Sequence, residues 1–450
     1  MVGLHPQTLR LIGFHTATGY WSPVTAATGH CSLNIGWCNM RIVVIGAGAA
    51  GLMAAGQAAS AGAWVTILEK NDRPGKKLLI TGKGRCNITN TEEMPDFIRN
   101  IPGNGQFLYG ALAKFGNSDL VEFFNGLGLE TKVERGGRVF PVSDRAADVV
   151  GALVGFCLSQ GVEFEYSAHV DEIIAREGQI ASVRLKDGRA YDCEAVILAT
   201  GGASYPGTGS TGEGYYMAKR LGHTITPLKP ALVPLETAEE WVKDLQGLSL
   251  KNVEATAYHN EKKAASEFGE MIFTHFGLSG PIILSISRPV VGIIEKGGEV
   301  KIKINLKPAL SAEQLDARIQ RDFATYTNKQ FRNALGELLP KSLIPVIVAL
   351  SGIAEDKPVH QVTREERLGL VELLQGLTLT VIGPRPLKEA IVTAGGVSVK
   401  EINPKTMESK IVRGLYLAGE VVDVDGYTGG FNLQAAFSMG YAAGTGAAQG

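Results

Sequence analysis

The sequence lacks a charge imbalance and a long apolar run. It carries 44 basic and 45 acidic side chains in 450 residues, for a formal net charge of -1. Nucleic-acid binding usually needs a basic surface that displaces counterions from phosphates, so this composition predicts no nucleic-acid partner. No apolar stretch approaches the ~20 residues that cross a bilayer, so no membrane segment is predicted either.

Cysteine is also scarce. The chain has five scattered cysteines without a CxxC pair: Cys31, Cys38, Cys86, Cys157 and Cys193. This number and spacing exclude a disulfide framework and favour a reducing compartment. We therefore predict a cytoplasmic protein, and no metal site.

The first 39 residues lack acidic side chains altogether. They contain one arginine, Arg10, and they have neither the basic start nor the uninterrupted apolar centre of a signal peptide. Met40 stands immediately before the first strand-like segment, RIVVIG. We interpret residues 1–39 as a disordered extension that results from the choice of start codon.

Glycine is abundant, with 56 of 450 residues, and it occurs in clusters where backbone can approach a ligand closely. In GAGAAG, Gly46, Gly48 and Gly51 follow an apolar strand and open a helix, and Glu69 ends the next strand. In such a βαβ unit the glycines allow a tight turn, close approach of a pyrophosphate and helix packing, while the acid binds ribose hydroxyls. This unit predicts dinucleotide binding, against the alternative of a glycine-rich turn without a ligand.

Two later segments favour FAD over NAD. EAVILATGG is an apolar strand that ends at Thr200 and Gly201, and GLYLAGEVVD is another that ends at Gly419 and Glu420, with Asp423 three residues further on. Two-dinucleotide flavoproteins carry strand-to-turn elements of this kind. A second GxGxxG, at residues 207–212, follows no strand, so we interpret it as a loop beside the flavin or a simple turn.

The loop TGKGRCNITN, residues 81–90, combines glycines with basic and thiol side chains. It is not a phosphate loop, because six residues separate Gly75 from Gly82 and Gly84 follows Lys83. A nucleophilic Cys86 needs a base, and no histidine occurs between His30 and His169. We favour a small packing residue near the flavin, and a reactive thiol remains the weaker alternative.

The chain from Met40 onward resembles the bacterial flavoprotein family of BaiN-like and YhiN-like proteins, which are NAD(P)/FAD-dependent oxidoreductases. The resemblance rests on GAGAAGLMAA, EKNDRPGKKLLITGKGRCNITN, ATGGASYPGTGSTGEGY, FTHFGLSGPIIL, AIVTAGGVSVKEINPKTMESK and GLYLAGEVVDVDGYTGGFNLQAAFSMG. It implies an α/β fold with a discontinuous, Rossmann-like, two-dinucleotide-binding FAD domain at 40–227 and 400–450. A barrel-like β-rich domain at 228–310 and 376–399 is inserted in it, with a small helical domain at 311–375. Residues 1–39 have no counterpart in the family pattern.

The C-terminal block GYTGGFNLQ runs from a glycine loop into a helix whose first amides can face the flavin and stabilise negative charge there. Asn432 is alternatively an ordinary N-cap. His275, in the inserted domain, is the candidate catalytic acid, although a lone histidine is more often structural. Motifs and resemblance together predict these FAD contacts: Gly46, Gly48, Ala49, Ala50, Gly51, Glu69, Lys70, Lys77, Arg85, Cys86, Asn87, Val170, Thr200, Gly201, Gly419, Glu420, Asp423, Gly429, Gly430, Asn432 and Gln434.

We expect NAD(P)H to act as a diffusible reductant, because the sequence has no second Rossmann unit to hold it. The resemblance implies hydride transfer to an activated double bond of a small organic substrate, selected by the inserted domains. An amine-oxidising flavoprotein, a fumarate-reductase-like enzyme and a non-catalytic redox sensor remain alternatives. The sequence predicts neither the substrate nor the oligomeric state.

Overall fold

The computed structural model describes residues 40–450, and the predicted N-terminal extension lies outside the described residues. The chain begins with the predicted βαβ unit: β1 (Arg41–Ile45), α1 (Ala49–Ser60) and β2 (Trp64–Glu69). Four of the five β1 residues are buried, which matches the apolar run RIVVI. The strand lies at the centre of the main sheet because both of its edges are paired.

The main sheet is parallel and has five strands. Its other members are β6 (Glu163–Tyr166), β10 (Ala195–Leu198) and β19 (Leu415–Leu417), in the order β19-β10-β1-β2-β6. Because β19 pairs with β10, the C-terminal segment completes a sheet that begins at Arg41. The predicted discontinuous Rossmann-type α/β fold is confirmed.

Further elements surround this sheet, including the three-stranded sheets β3-β5-β4 and β7-β8-β9. The last helix packs so closely on α1 that a Cβ at Gly440 would lie 2.4 Å from the carbonyl oxygen of Ala50. The elements are α2 (Lys76–Ile80), β3 (Thr89–Asn90), α3 (Met94–Arg99), α4 (Tyr109–Lys114), α5 (Asn117–Gly126), β4 (Thr131–Glu134), β5 (Arg138–Pro141), α6 (Ala146–Ser159), β7 (Val170–Arg176), β8 (Gln179–Leu185), β9 (Ala190–Asp192), α7 (Glu213–Arg220) and α13 (Phe431–Gln449).

The inserted region contains a closed six-stranded barrel in the order β12-β15-β14-β13-β16-β17. KIKINLK alternates as predicted, with Val300, Ile302 and Ile304 buried inside the barrel. The strands are β12 (Leu235–Thr237), β13 (Ser249–His259), β14 (Lys262–Thr274), β15 (Gly277–Ser279), β16 (Val300–Asn305) and β17 (Leu377–Pro384).

One helix in this region was not predicted. The β-branched segment PIILSISRPVVGII reads as strand by composition, yet it forms α8 (Pro281–Ile294). Pro281 occupies the first turn, where its missing N–H costs nothing, and the apolar residues recur at helical spacing. Periodicity therefore outweighs β-propensity here.

The helical segment consists of α9 (Ala312–Thr325), α10 (Phe331–Ala334), α11 (Ile344–Ser351) and α12 (Arg364–Gln375). Ser311 and Thr363 begin α9 and α12 with capping boxes. These helices share one apolar core with the barrel, within residues 235–381, whereas both segments of the Rossmann part share another. Among residues 40–450, no helix is long and apolar enough to cross a membrane.

The backbone passes twice between the two apolar cores, and both passages lie in one antiparallel two-stranded ribbon. It pairs β11 (Ile225–Ala231) with β18 (Val392–Val397). The boundaries predicted near residues 227 and 399 fall in or beside this ribbon, and the exact domain limits stay a prediction. The ribbon therefore contains both covalent connections between the barrel region and the Rossmann part.

Candidate functional site

Strands β1, β10 and β19 neighbour one another in the parallel sheet, and we call the edge at which their carboxyl ends meet the crevice. Residues 46–48 directly follow β1, and residues 200–201 and 419–420 begin two positions after the ends of β10 and β19. Parallel strands end at the same edge of a sheet, and ligands of open α/β sheets bind there. The structure thus brings together three segments that the sequence identified separately.

The three motif glycines have different physical roles. A Cβ at Gly46 would lie 2.6 Å from the carbonyl oxygen of Ala199, and one at Gly51 would lie 1.9 Å from that of Gly46. A Cβ at Gly48 would meet no atom within 4 Å, and its φ of -86° suits any residue. Close packing of the backbone therefore excludes a side chain at positions 46 and 51. Gly48, by contrast, borders open space at the N-terminus of α1. Ala49 and Ala50 form the first turn of that helix.

Glu69 ends β2 and stabilises the glycine loop. Its carboxylate is 7% exposed and accepts a hydrogen bond of 2.8 Å from the Ala47 N–H. The other oxygen accepts bonds of 2.8 and 2.6 Å from the backbone and side chain of Asn71. The acid thus lies beside the glycine loop, and its contact with the ribose hydroxyls of a dinucleotide stays a prediction.

The Lys70 ammonium is engaged within the protein. It lies 2.6 Å from Thr211 Oγ1 and 2.7 Å from the carboxylate of Glu213, which also contacts His169 at 2.7 Å. Burial alone would raise the pKa of Glu213, but hydrogen bonds and charge from Lys70 and His169 lower it to about 2. This network fixes the 207–212 loop beside the glycine motif. No strand precedes the loop, so its GxGxxG is not a second Rossmann unit.

Lys77 and Glu420 form an ion pair of 2.6 Å across the crevice. Lys77 also donates to Ser204 Oγ at 2.7 Å, and the second Glu420 oxygen accepts from the Thr393 N–H at 2.7 Å. Because Thr393 belongs to β18, this network ties the connecting ribbon to the ends of β10 and β19. Lys77 and Glu420 therefore both lie at the crevice, and each compensates the charge of the other.

The 81–87 loop divides into three different environments. Arg85 pairs with Glu134 and Asp144, and its guanidinium lies 4.2 Å from the centre of the Phe140 ring, so its charge is already compensated. Cys86 is fully buried, and burial raises the pKa of its thiol to about 12. Asn87 Oδ1 is buried without a hydrogen-bond partner among the described residues. Of the three, Asn87 has the free polar atom that a ligand requires.

The N-terminus of α13 begins at a glycine turn held against the 89–90 strand. A Cβ at Gly430 would lie 2.3 Å from the carbonyl oxygen of Thr89, and Asn90 Nδ2 donates to the carbonyl of Gly429 at 3.0 Å. Gly430 is the N-cap residue, so no side chain caps the helix and no acid occupies its first turn. The first amides of a helix lack intrahelical partners and attract negative charge.

Two predicted residues of this helix have other roles. The N-cap alternative for Asn432 is wrong, because its side chain bonds backward to the loop: it accepts from the Gly426 N–H at 2.8 Å and donates to the Gly426 and Tyr427 carbonyls at 2.8 and 3.1 Å. Gln434 is fully buried and donates to Ser438 Oγ at 3.0 Å, while its Oε1 has no partner among the described residues. Asn432 therefore shapes the turn that precedes the helix.

The remaining predicted contacts have different environments. Thr200 Oγ1 is buried without a partner within residues 40–450, and Gly201 has a φ of +74° that favours glycine. Val170 begins β7 and is buried. Burial raises the pKa of Asp423, whose carboxyl group also contacts Thr226 on β11. Asp423 thus faces the connecting ribbon.

His275 occupies the exposed turn between β14 and β15. Within the described residues it forms no hydrogen bond or ion pair, and its ring packs edge-on against Phe276 at 5.0 Å. Arg385 lies over the other side of Phe276 and pairs with Glu236 and Glu389 at 2.6 and 2.9 Å. Sequence reasoning missed this cluster, because its members come from three strands or turns that no local motif connects.

These observations fit FAD. Gly48 leaves open space for a pyrophosphate, Asn87 and Thr200 offer buried polar atoms without partners, and α13 presents uncapped amides. An elongated dinucleotide with a flavin ring requires polar contacts of these kinds. The fold and the crevice therefore define an FAD-binding, Rossmann-type oxidoreductase.

The chain belongs to the family described as HI0933-like protein Rossmann domain, which matches residues 40–446. The resemblance to BaiN-like and YhiN-like flavoproteins is thereby confirmed. The chain is 35% identical over 424 residues to the 3-dehydro-bile acid delta(4,6)-reductase of Clostridium scindens, with 91% of this chain and 99% of the relative covered. It is 32% identical over 407 residues to the ribosomal RNA dihydrouridine synthase of Haemophilus influenzae, with 89% and 96% covered.

Among solved structures, the chain is similar to a 3-ketosteroid delta1-dehydrogenase from Sterolibacterium denitrificans. The TM-score is 0.50 at 13% identity, with 91% of this chain and 99% of the other covered. At this identity the similarity shows the shared fold alone.

Proposed function

We propose that the protein uses NAD(P)H as a diffusible reductant and transfers hydride to a carbon–carbon double bond conjugated to a carbonyl group in a small organic substrate. The observation that carries this proposal is the single strand–glycine–helix unit within residues 40–450, which leaves no second site to retain a nicotinamide cofactor. FAD, when bound, accepts hydride from one partner and donates it to the other. Reductant and substrate would then enter the site one after the other.

The names of the relatives support this reaction class. One relative is a delta(4,6)-reductase and another a dihydrouridine synthase. The C5=C6 bond of uridine, like the double bond of an enone, is conjugated to a carbonyl group. In both cases hydride adds to the β-carbon and a proton to the α-carbon, so the double bond becomes single as one NAD(P)H is oxidised.

The residues of the chain supply positioning and charge stabilisation in this proposal. In this proposal the uncapped amides of α13 stabilise negative charge on the cofactor, and Asn432 holds the preceding turn in place. Helix α8 of the barrel region docks on this turn, where Ser285 and Thr428 hydroxyls lie 3.0 Å apart. The inserted region thereby covers the reactive face and selects the substrate. A proton reaches the α-carbon from water or from His275.

The fumarate-reductase alternative requires free cationic side chains for two carboxylates. Arg385, the arginine beside His275, already pairs with Glu236 and Glu389, so its charge is compensated. This observation disfavours a dicarboxylate substrate at the cluster.

Anaerobic mixing of the FAD-loaded protein with NADH and with NADPH tests the proposal. Loss of flavin absorbance, followed by its return on addition of a 4-en-3-one steroid, is the expected result. Reduction by an amine alone would indicate an oxidase instead, and resistance to all of these reductants would indicate a redox sensor. Exchange of the inserted region between two relatives should move substrate preference and leave FAD affinity unchanged.

A second candidate substrate is a uridine within RNA. The observation that favours it is the pair of outward-facing lysines Lys301 and Lys303 on β16 of the barrel, which form no ion pair within residues 40–450. Comparing a uridine-containing RNA with the enone, as oxidants of the reduced protein, decides between the two substrates.

A further inference from the structure

Tyr205 has a backbone conformation that its residue type disfavours. Its φ and ψ are 52° and 60°, in the left-handed region where a side chain crowds the backbone and glycine is preferred. Pro206 follows it, and a proline ring favours extended backbone in the residue before it. The conformation is therefore unfavourable for a tyrosine on two counts. Strain of this kind persists only where the surroundings fix it, and it is concentrated at functional sites.

Hydrogen bonds fix the backbone on both sides of Tyr205. Ser204 is fully buried, and its Oγ accepts from Lys77 Nζ at 2.7 Å and lies 3.0 Å from Glu420 Oε1. The Tyr205 carbonyl oxygen accepts from the N–H and the hydroxyl of Thr208 at 2.9 and 2.8 Å. Relaxation of Tyr205 toward extended backbone would therefore break contacts of the network around Lys77 and Glu420.

Tyr205 also joins the two parts of the chain. Its N–H donates to the carbonyl oxygen of Lys388 at 3.3 Å, and Ser204 Oγ lies 3.2 Å from that of Ile391. Residues 388–391 lead from the barrel into β18, whereas Ser204 and Tyr205 follow β10 of the main sheet. Tyr205 therefore lies where the edge of the crevice meets the segment that returns from the barrel.

The side chain of Tyr205 is free to contact a ligand. It is 38% exposed, and within residues 40–450 its hydroxyl forms no hydrogen bond and its ring has no aromatic or cationic partner. Tyr215, by contrast, is 5% exposed and donates its hydroxyl to the Glu420 carbonyl oxygen at 3.0 Å. Ile391 is also exposed, so two apolar side chains adjoin the buried Ser204 contact.

We propose that Tyr205 determines substrate specificity by packing its ring against the flat, conjugated part of the substrate, an inference that rests on the reductase proposed above. A carbon–carbon double bond conjugated to a carbonyl group is planar and largely apolar, and an aromatic ring matches such a surface. The fixed backbone presents the ring without the entropy cost of ordering a mobile loop. The nicotinamide of NAD(P)H is planar as well, so the test measures the two half-reactions separately.

The test compares Tyr205→Ala and Tyr205→Phe, both loaded with FAD, in steady-state turnover of a 4-en-3-one steroid with NADPH. Tyr205→Ala should raise KM roughly tenfold and change kcat little, because it removes a contact made throughout the reaction. Tyr205→Phe keeps the ring and should match the wild type. Anaerobic bleaching of the flavin by NADPH alone should proceed at the wild-type rate in both variants.

Tyr205→Gly separates the functional role from a structural one. Glycine adopts the left-handed conformation freely, so this variant should unfold at the same urea concentration as the wild type or a higher one. Its KM should nevertheless rise roughly tenfold, because the ring is absent. The matched control is Tyr216→Ala, which removes an exposed tyrosine from α7 and should leave KM unchanged.

An equal rise in KM in the Tyr216→Ala control would overturn the inference. Slower bleaching of the flavin by NADPH in Tyr205→Ala would also overturn it, because the ring would then contact the nicotinamide. Absence of turnover in the wild type would overturn the reductase and this inference together. Wild-type turnover with an unchanged KM in Tyr205→Ala would overturn the Tyr205 inference alone.

Discussion

Arg288 forms two hydrogen bonds with the carboxylate of Asp425, from Nε to Oδ2 at 2.5 Å and from Nη2 to Oδ1 at 3.2 Å. Arg288 lies on α8 of the inserted region, and Asp425 lies in the loop that leads to α13. The Asp425 carboxylate is 1% exposed, so this pair is a buried contact between the two parts of the chain. It holds α8 of the inserted region against the loop that precedes α13.

Arg288→Ala should destabilise the protein by about 3–5 kcal/mol, because it leaves the buried Asp425 charge without a partner. Urea unfolding measures the free energy. Arg288→Lys should restore part of the loss, since it retains the charge but not the two-point geometry. Lys243→Ala, which removes a partner of the exposed pair with Glu240, is the control and should change little. Equal small losses from both alanine variants would contradict the structural role of Arg288.

Gly48→Val should abolish FAD binding and leave the apoprotein folded. The added side chain meets no protein atom near its Cβ but occupies the space that borders the α1 N-terminus. Flavin absorbance after reconstitution and the circular dichroism of the apoprotein measure the two properties separately.

Gly51→Ala is the contrasting variant, because its Cβ would lie 1.9 Å from the Gly46 carbonyl oxygen. It should lower the stability of the apoprotein itself. Normal FAD content in Gly48→Val would show that the crevice is not the pyrophosphate site.

The Rossmann unit could be predicted from sequence because its signals are local. Gly46, Gly48, Gly51 and Glu69 lie within 24 consecutive residues, and their spacing alone specifies a strand, a turn and a helix. The segments after β10 and β19 were recognisable for the same reason. Each is an apolar strand that runs into a glycine-containing turn.

Partners that are distant in sequence could not be predicted in this way. Lys77 and Glu420 were both predicted to contact FAD, but only the folded chain shows that they pair with each other. The loop contacts of Asn432 also escaped prediction, because a polar residue near a helix start resembles an N-cap. Local spacing carries no information on such tertiary alternatives.

Cys86→Ala should retain most turnover. Burial keeps the thiol protonated at neutral pH, so it cannot act as a thiolate nucleophile. Steady-state NAD(P)H oxidation with the enone measures the effect, and FAD content is the control. Loss of all activity with normal FAD content would identify the 81–87 loop as a catalytic thiol site.

Stability should decline in alkaline solution because of three buried thiols. Burial raises the pKa of Cys86, Cys157 and Cys193 from the ordinary value of 9.0 to about 12. A raised folded-state pKa contributes stability that is complete below the unfolded value and is lost as pH rises toward the folded one. The free energy of unfolding should therefore fall between about pH 9 and pH 12. Burial also raises the pKa of Tyr215 and Tyr416, so replacing all three cysteines with alanine should reduce this dependence without abolishing it, and an unchanged slope would assign it to other groups.

Asn432→Ala should slow flavin reduction and leave FAD bound. The substitution removes three hydrogen bonds to Gly426 and Tyr427, which releases the loop that sets the position of the α13 amides. The crevice edges at Gly48 and Glu420 do not depend on these bonds, so affinity for FAD should persist. We expect the rate of flavin bleaching by NADPH to decrease roughly tenfold, because one positioning interaction is lost. The rate is measured anaerobically by stopped flow.

Two further variants separate positioning from simple loss of structure. Asn432→Asp keeps the acceptor for the Gly426 N–H but loses both donated bonds, so its rate should be intermediate. Gly430→Ala would place a Cβ 2.3 Å from the Thr89 carbonyl oxygen and displace the turn by another route, so it should also slow reduction. If Asn432→Ala reduces at the wild-type rate, the turn does not position the reactive face. If it loses FAD, the turn acts in cofactor binding, and its effect on reduction has to be measured with Asn432→Asp instead.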